Sequence, residues 1–266
     1  MPELPEVEQA ARTAHAAVGG RRLVALRALH PALARDGALD AAQALVGRTV
    51  VGVARVAKWQ EFAFDDGAVL VVHFRMTGDW HVADGPHDDA DDARAPRHAR
   101  LHLGFGDRQL WLVDPRVLAR IAYRAPGTAR DARTGPDAHD PALDAAALRA
   151  RLAGRRIAIK QALLDQRVVA GLGNIYAAEA LWHARIHPAT PAARLSLARV
   201  ARLLDGIRHV LDAALADPGR QAHGESLDRL AVYDRARHPC LRCAAPIRRI
   251  VQGARSTYYC PRCQRA

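Results

Sequence analysis

The four cysteines of this 266-residue chain constrain its fold more than any other feature, because all of them lie within the last 27 residues. They form two CxxC pairs that are separated by sixteen residues. Two such pairs can close a tetrahedral thiolate site, and in a reducing compartment a structural zinc ion suits them better than disulfides do. The sequence therefore predicts a C-terminal finger in which one structural Zn²⁺ is held by Cys240, Cys243, Cys260 and Cys263.

The charge of the chain favours a polyanionic partner. The formal net charge is +11, and basic side chains that neutralise phosphates gain affinity by releasing counterions. Nucleic acid is the expected partner, with a basic protein unconnected to nucleic acid as the alternative. Only two of the 39 basic residues are lysines, Lys58 and Lys160. Because lysine can give up its proton or hold a compact point charge where arginine cannot, both lysines are candidate functional residues.

No export signal or membrane segment is expected. The first twenty residues carry four charged side chains and leave no apolar core for a signal peptide, and no later run approaches the length of a transmembrane helix. We expect a cytoplasmic protein without a membrane partner, associated with the nucleoid when it is bound to DNA.

Sequence patterning predicts an α+β, multidomain chain. An alanine-rich helix from Pro5 to Val18, followed by short apolar strands between Asp-Gly turns, indicates a β-sandwich or barrel over residues 1–125. Residues 126–140 are typical of a linker, 141–230 of a helical domain, and 231–266 contain the finger. The strands are expected at 49–56, 61–64, 69–74, 101–105 and 110–113, an aspartate-rich loop at 84–94, and the helices at 143–152, 159–165, 175–183 and 196–215.

The N-terminus offers a candidate nucleophile and a candidate acid. An initiator methionine is usually removed before a small residue, which would leave Pro2 as a secondary amine. An α-amino group has an unperturbed pKa of about 7.7–8.0, so that it can act as a nucleophile at neutral pH. Glu3 is placed to donate a proton to a departing base or an opening sugar. Taken alone, the same residues also suit an ordinary processed terminus with a proline at a helix start.

Four motifs, in this order, resemble the family of formamidopyrimidine-DNA glycosylase and endonuclease VIII. They are PELPEVE at 2–8, the Lys58 segment, GLGNIYA at 171–177 and the two cysteine pairs. The resemblance spans almost the whole chain. It implies a bifunctional, monomeric DNA glycosylase and abasic-site lyase of base-excision repair, acting on double-stranded DNA that carries oxidised bases or abasic sites. It further implies an N-terminal β-sandwich, a helix-two-turns-helix domain and a zinc-finger β-hairpin.

The resemblance also implies the catalytic residues. Pro2 matches the family's Schiff-base nucleophile, and Glu3 matches its proton donor. Lys58 matches the lysine assigned to β-elimination, and Arg255 the finger arginine tied to phosphate binding and δ-elimination. These side chains suit the roles, because breaking a glycosidic bond needs an acid and a nucleophile, and a fixed cation stabilises a leaving phosphate.

Further positions match family residues that contact DNA. The residues that match family positions holding the DNA backbone are His98, Arg116, Arg156, Lys160 and Asn174. For His98 a structural histidine is the alternative, and for Arg156 an ordinary surface arginine. Enzymes that act on a base inside a duplex flip it out, and Met76, Arg116 and Leu118 match the residues that fill the resulting gap. Of these, Arg116 matches the residue that reaches for the orphaned base on the opposite strand. Without the resemblance, Met76 would be interpreted as a core residue of a strand.

Several departures from the family pattern bear on the substrate. Val117, Leu118 and Ala119 stand where the family usually has a basic residue, an aromatic wedge and a glycine. Arg75 replaces a usual glycine, and residues 59–61 replace an apolar strand start. The segment 217–230 is shorter than the loop that covers a flipped oxidised purine. Oxidised purines and oxidised pyrimidines both stay open as substrates, with a preference for the pyrimidine type or a mixed range.

Two other classes of function stay open. A catalytically silent damaged-DNA-binding protein on the same scaffold would need neither Pro2, Glu3 nor Lys58, so their presence argues against it. A zinc-ribbon transcription or RNA-binding factor would not depend on an unblocked N-terminus.

Overall fold

The computed structural model describes residues 2–33, 37–86, 95–130, 133–217 and 230–265. These residues form two compact units, Met1–Arg130 and Asp131–Ala266. Most of the predicted acidic loop and of the short segment 217–230 lies outside the described residues. The finer domain boundaries stay predictions. Within the described ranges, no helix has both the length and the apolar character that crossing a bilayer requires.

The first unit opens with helix α1 (Leu4–Val18), as the sequence predicts. Pro5 lies in its first turn, where the missing N–H costs nothing, and the carboxylate of Glu6 suits the positive end of the helix dipole. The helix ends at Gly19, where a Cβ atom would lie 2.7 Å from the carbonyl oxygen of His15. Its apolar face is buried against the sheets that follow.

Two four-stranded antiparallel sheets form the rest of this unit. The first has the order β1-β6-β7-β5 and the second the order β2-β3-β4-β8. The strands are β1 (Ala25–Ala28), β2 (Val50–Val56), β3 (Trp59–Phe64), β4 (Val69–His73), β5 (Asp79–Asp84), β6 (Ala99–Gly104), β7 (Arg108–Val113) and β8 (Arg120–Arg124). A short helix, α2 (Ala38–Ala42), and 3₁₀ turns at Pro31–Leu33 and Gln43–Leu45 join them.

One hydrophobic core holds the two sheets together. Alternate residues of the central strands point into it, as expected for strands that are buried on one face. Buried examples are Leu101 and Leu103 of β6, Leu110 and Leu112 of β7, Phe62 and Phe64 of β3, and Leu70 and Val72 of β4. The predicted β-sandwich is therefore confirmed.

The polar start of β3, a departure from the family pattern, is accommodated by specific partners. Gln60 is buried and accepts a 2.6 Å hydrogen bond from Nε1 of Trp80. The carboxylate of Glu61 accepts two hydrogen bonds from Arg124 and two from Arg130, at 2.7–3.1 Å. Burial would raise the pKa of Glu61, but the two guanidinium groups outweigh it and lower the pKa.

Helices dominate the second unit. They are α3 (Ala145–Leu152), α4 (Ile159–Leu164), α5 (Asn174–His183) and α6 (Leu197–Leu215), with a 3₁₀ turn at Ala192–Arg194. All four follow the predicted helical segments to within two residues at each end. Helices α5 and α6 approach closely at Gly206, where a Cβ atom would lie 2.7 Å from the carbonyl oxygen of Ala180.

The chain ends in the predicted finger hairpin. Strands β9 (Arg248–Gln252) and β10 (Arg255–Tyr259) pair antiparallel, with Gln252 opposite Arg255. Gly253 and Ala254 between them both have positive φ, of 54° and 60°. This is the backbone of a two-residue type I′ turn, which matches the natural twist of a hairpin.

Candidate active site, nucleic-acid interface and zinc centre

The predicted nucleophile and acid lie at the start of α1. Pro2 and Glu3 are both buried, and Glu3 is the residue that immediately precedes the helix. Its backbone N–H donates a 2.8 Å hydrogen bond to Oε2 of Glu6, and its carbonyl oxygen accepts from the N–H of Val7 at 3.0 Å. The helix therefore fixes the backbone of Glu3, and with it the position of the residue before it.

Lys58 lies in the tight turn between β2 and β3. Val56 pairs with Trp59, so Ala57 and Lys58 are the two turn residues, and Ala57 has a positive φ of 55°. Arg55 supports this turn, because it donates to the carbonyl oxygen of Ala57 at 3.1 Å and to Oε2 of Glu8 at 2.9 Å. Since Glu8 belongs to α1, the arginine ties the buried lysine turn to the helix that carries Glu3.

His73 is a neighbour of Lys58 that the sequence analysis missed. Burial, together with the positive charges of Arg75 and Lys58, lowers the pKa of His73 to about 4. Its Nδ1 accepts a 2.8 Å hydrogen bond from the N–H of Arg75, and its ring packs edge-on against Trp59. A neutral imidazole thus lies beside the lysine at neutral pH. The available signal was its place at the end of a strand, three residues before Met76.

The predicted gap-filling side chains are exposed. Met76 is 38% exposed, at the tip of a turn that the N–H of Gly78 closes by donating to the carbonyl oxygen of Phe74 at 3.1 Å. The interpretation of Met76 as a core residue is therefore wrong. Leu118 is 37% exposed, and Arg116 is exposed on the same loop, between β7 and β8.

Asp114 connects these loops to each other. The hydroxyl group of Thr77, next to Met76, donates to Oδ1 of Asp114. The N–H of Asp114 donates to the carbonyl oxygen of His98 at 2.9 Å. The structure therefore gathers four predicted DNA-contacting residues of the first unit around one aspartate: Met76, His98, Arg116 and Leu118.

In the second unit, Asn174 and Lys160 form one network with the finger hairpin. Lys160 is 1% exposed, and its ammonium group donates to Oδ1 of Asn174 at 2.6 Å. It also donates to the carbonyl oxygen of Ser256 at 2.9 Å and to Oγ1 of Thr257 at 2.7 Å. Nδ2 of Asn174 donates to the same Ser256 carbonyl at 3.0 Å. Arg255 directly precedes Ser256 and Thr257 in the chain, and it is exposed at the start of β10.

The turn before Asn174 depends on a glutamine that the sequence analysis missed. Gln166 accepts a 2.9 Å hydrogen bond from the N–H of Gly171 through Oε1. It also donates through Nε2 to the carbonyl oxygens of Leu164 and Leu172. Gly171 has a φ of 99°, which favours glycine. Arg156, which is predicted to contact the DNA backbone, is exposed just before α4.

The four cysteines form a group that fits a zinc ion. Their Sγ atoms all lie within 4.8 Å of one another. Cys240 and Cys263 are 3.9 Å apart at sulfur, and Cys243 and Cys260 are 3.5 Å apart. A tetrahedral site with Zn–S bonds of about 2.3 Å has sulfurs about 3.8 Å apart. The residues therefore fit one tetrahedral zinc ion.

Trp182, at the end of α5, contacts the first cysteine pair. Its indole Nε1 donates to Sγ of Cys240 at 3.4 Å. Its carbonyl oxygen accepts from Arg242 at 2.6 Å, and the guanidinium of Arg242 stacks 3.6 Å from the ring centroid. Burial alone would raise the pKa of the Cys240 thiol, but hydrogen bonds from the Arg242 backbone and the indole lower it to about 6.

Three family models match successive parts of the chain. Residues 1–121 match the formamidopyrimidine-DNA glycosylase N-terminal domain, and residues 134–223 the formamidopyrimidine-DNA glycosylase H2TH domain. Residues 237–266 match the zinc finger found in FPG and IleRS.

Individual proteins match over the full length. A formamidopyrimidine-DNA glycosylase of Paraburkholderia phymatum is 40% identical over 282 residues, and the match covers 100% of this chain and 100% of the relative. One of Chloroflexus aurantiacus is 39% identical over 277 residues, which cover 99% of this chain and 98% of the relative. The crystal structure of Lactococcus lactis formamidopyrimidine-DNA glycosylase, non-covalently bound to DNA with an abasic site, has a TM-score of 0.87 and 30% identity. That match covers 99% of this chain and 100% of the other.

Proposed function

The chain belongs to the formamidopyrimidine-DNA glycosylase family, and we propose that it is a bifunctional base-excision-repair enzyme that removes oxidised bases from DNA and cleaves the strand at the abasic site. The observation that carries this conclusion is the 40% identity, over 100% of both chains, to a protein of that name. The DNA repair role, the glycosylase activity and the abasic-site lyase activity are those of the family. Its partner is DNA that carries damaged bases or abasic sites.

Base removal uses Pro2 and Glu3. Glu3 donates a proton to the departing base or to the sugar ring oxygen, and the bond from C1′ to the base breaks. The Pro2 nitrogen bonds to C1′ and gives up its own proton, which goes to whichever of the base and the ring oxygen Glu3 does not protonate. The bond from C1′ to the ring oxygen opens, and an iminium links the protein to the sugar. The rigid start of α1 supports this assignment, because a nucleophile acts best when its position is fixed.

Strand cleavage follows from the iminium. Loss of a proton from C2′ expels the 3′ phosphate, and loss of a proton from C4′ then expels the 5′ phosphate. Lys58 assists the first elimination, and Arg255 binds phosphate and assists the second. The burial of Lys58 beside a neutral His73 and the exposure of Arg255 at the hairpin turn support these roles.

Each of the two units carries residues that are assigned to DNA. Met76, Arg116 and Leu118 occupy the gap that the flipped base leaves, which suits their exposure on two joined loops. The remaining residues assigned to the DNA backbone are His98, Arg156 and Asn174, and Lys160 supports this contact by holding Asn174 in place. One structural Zn²⁺ is bound by Cys240, Cys243, Cys260 and Cys263. It stabilises the hairpin that presents Arg255 and takes no part in the chemistry.

The preferred lesion is an oxidised purine of the formamidopyrimidine type. The names of the relatives favour this branch over the pyrimidine-type preference suggested by Leu118 and the short segment 217–230. The cellular location is the cytoplasm, with the enzyme on the nucleoid when it is bound to DNA.

Borohydride trapping of the untagged protein tests the function. The duplexes carry 8-oxoguanine, formamidopyrimidine guanine, 5-hydroxyuracil, dihydrothymine or an abasic site. We expect a covalent adduct that is lost in Pro2→Gly and in a protein with an N-terminal extension. Glu3→Gln should still form an adduct on the abasic site but should not remove a base. The lesion that traps fastest decides between purine and pyrimidine.

Two outcomes would overturn the proposal. Binding to every duplex with no adduct on any, the abasic site included, would leave a catalytically silent DNA-binding protein. An activity that an N-terminal extension leaves untouched would favour a zinc-ribbon factor, since such a factor makes no use of the N-terminal amine.

A further inference from the structure

We propose that Asp114 is a positioning residue that locks together the two loops which fill the DNA gap, and that reading of the opposite base depends on this lock. The inference rests on the proposed function, because the gap exists only if a base is flipped. Asp114 itself is fully buried and has no contact with DNA in this scheme. It acts through Met76, Arg116 and Leu118.

The carboxylate of Asp114 accepts four hydrogen bonds. Oδ1 accepts from the hydroxyl group of Thr77 and from the N–H of Arg116, at 3.2 Å for the latter. Oδ2 accepts from the N–H of Leu118 at 2.6 Å and of Ala119 at 2.8 Å. A carboxylate offers acceptors on both oxygens, whereas an asparagine offers them on only one. Aspartate is therefore the residue that satisfies all four donors at once.

Three of these donors hold the loop that carries Arg116 and Leu118 in a strained shape. Val117, between them, has a φ of 54°, which a β-branched residue rarely adopts. Such a conformation persists only where the surroundings determine it strongly. The hydrogen bonds to the residues on either side of Val117 supply most of that constraint, and the N–H of Val117 adds a 3.3 Å bond to the backbone carbonyl oxygen of Asp114. The family's usual aromatic wedge and glycine are absent here.

The fourth donor brings in the other loop. Thr77 directly follows Met76, at the tip of the turn between Phe74 and Gly78. Its hydroxyl group is the side-chain contact that joins this turn to Asp114. Met76 and Leu118 are therefore held by the two oxygens of one carboxylate, although they lie far apart in sequence. A change at Asp114 should move both.

The backbone of Asp114 is fixed as well. Its N–H donates to the carbonyl oxygen of His98 at 2.9 Å, and its own carbonyl oxygen accepts from Nε of Arg100 at 2.8 Å. These contacts do not depend on the carboxylate. Asp114→Asn should therefore loosen the two gap-filling loops and leave the strand ends beneath them in place.

The test measures base excision in a single turnover with the lesion opposite C, T, G or A, in wild type, Asp114→Asn and Thr77→Val. The readout is the ratio between the best and the worst opposite base. We expect that ratio to fall about tenfold in Asp114→Asn, since two of the four donors lose their acceptor. Thr77→Val should lower it less, and should add nothing in a Met76→Ala background, because it acts through Met76.

Asp66→Asn is the matched control. Asp66 likewise accepts from a backbone N–H two residues ahead, that of Ala68 at 2.9 Å, and it pairs with Arg48, away from the proposed site. Its substitution should leave the opposite-base ratio unchanged. Thermal unfolding of each variant shows whether it folds, and a ratio of rates within one protein is insensitive to the folded fraction.

The two proposals fail in different ways. If wild type forms no borohydride adduct, the proposed function is wrong, and the inference about Asp114 is wrong as well. If wild type forms the adduct, but folded Asp114→Asn keeps the wild-type ratio at all four opposite bases, the function stands and the positioning role of Asp114 is refuted.

Discussion

The ammonium group of Lys160 donates a 2.6 Å hydrogen bond to Oδ1 of Asn174, and both side chains converge on the carbonyl oxygen of Ser256. Lys160 is 1% exposed, so it is poorly placed to replace counterions on a DNA phosphate. It joins α4, α5 and β10, and thereby orients Asn174 and the hairpin that presents Arg255. Direct contact of Lys160 with a phosphate stays a prediction. The salt dependence of DNA binding distinguishes such a contact from the positioning of Asn174 and the hairpin.

Lys160→Gln should weaken DNA binding without changing how steeply affinity falls with salt. The substitution disturbs Asn174 and Ser256, but removes no exposed charge. Arg156→Gln is the matched control, because Arg156 is exposed and its loss should lower the slope of log K against log salt by about one. Fluorescence anisotropy between about 50 and 200 mM salt measures the affinity and its salt slope for each variant. An equal loss of slope in the lysine variant would show a direct phosphate contact.

Trp182→Phe should release zinc faster than wild type. The change removes the N–H donor to Sγ of Cys240, and loss of a partner just outside a metal's ligand shell typically costs about 10–100-fold in affinity. Trp111→Phe is the control, because Trp111 is also buried but its Nε1 has no hydrogen-bond partner among the residues that the structure describes. Transfer of zinc to a coloured chelator gives the rates. Similar rates for the two variants would contradict the expectation.

Gly78→Ala should destabilise the turn that carries Met76. A Cβ atom at Gly78 would lie 2.8 Å from Cα and 2.9 Å from the carbonyl oxygen of Phe74, and these backbone atoms cannot yield without opening the turn. We expect a loss of about 1–3 kcal/mol in the free energy of unfolding, together with slower base excision. At Gly52 a Cβ atom would meet no atom of the described residues within 4 Å, so Gly52→Ala should have little effect. Urea unfolding measures the free energy of unfolding of both variants and of wild type.

Stability should fall as the pH drops from about 6.5 toward 4. The pKa values of His73 and His183 are lowered to about 4, chiefly by burial, so the unfolded chain binds protons that the folded chain does not. Their stabilising contribution is complete above the unfolded pKa of about 6.5 and is lost below it. His73→Gln should flatten the dependence in this window, as urea unfolding at several pH values would show. Parallel curves for variant and wild type would refute the assignment.

The strands that the sequence analysis missed share one position in the fold. β1 and β5 are the edges of one sheet, and β8 is an edge of the other. Edge strands face solvent on one side, and proteins keep them short and charged to avoid pairing with other chains. Their sequences, ALRA, DWHVAD and RIAYR, therefore lack a run of apolar residues. The fourth edge strand, β2, was predicted because its sequence, VVGVARV, is mostly apolar. The central strands and the long helices were predicted because burial imposes a regular apolar period on them.

The sequence by itself determined the features that depend on neighbouring residues. The spacing of the cysteine pairs predicts the zinc finger, and the residues around α1 predict its start and its end. Motifs of a few residues also carried the family resemblance, and through it the assignments of Pro2, Glu3, Lys58 and Arg255. In each case the chemistry is contained within one short segment, so its period or spacing can be read along the chain.

Only the tertiary structure decided which distant residues support one another. Asp114 meets Thr77 across 37 positions, and Lys160 meets Ser256 across 96. His73 becomes a neighbour of Lys58 because β3 and β4 pair. Hydrogen bonds of this kind follow no local period, since they depend on where strands and loops come together. The residues that hold the site in shape therefore became visible only once the chain was folded.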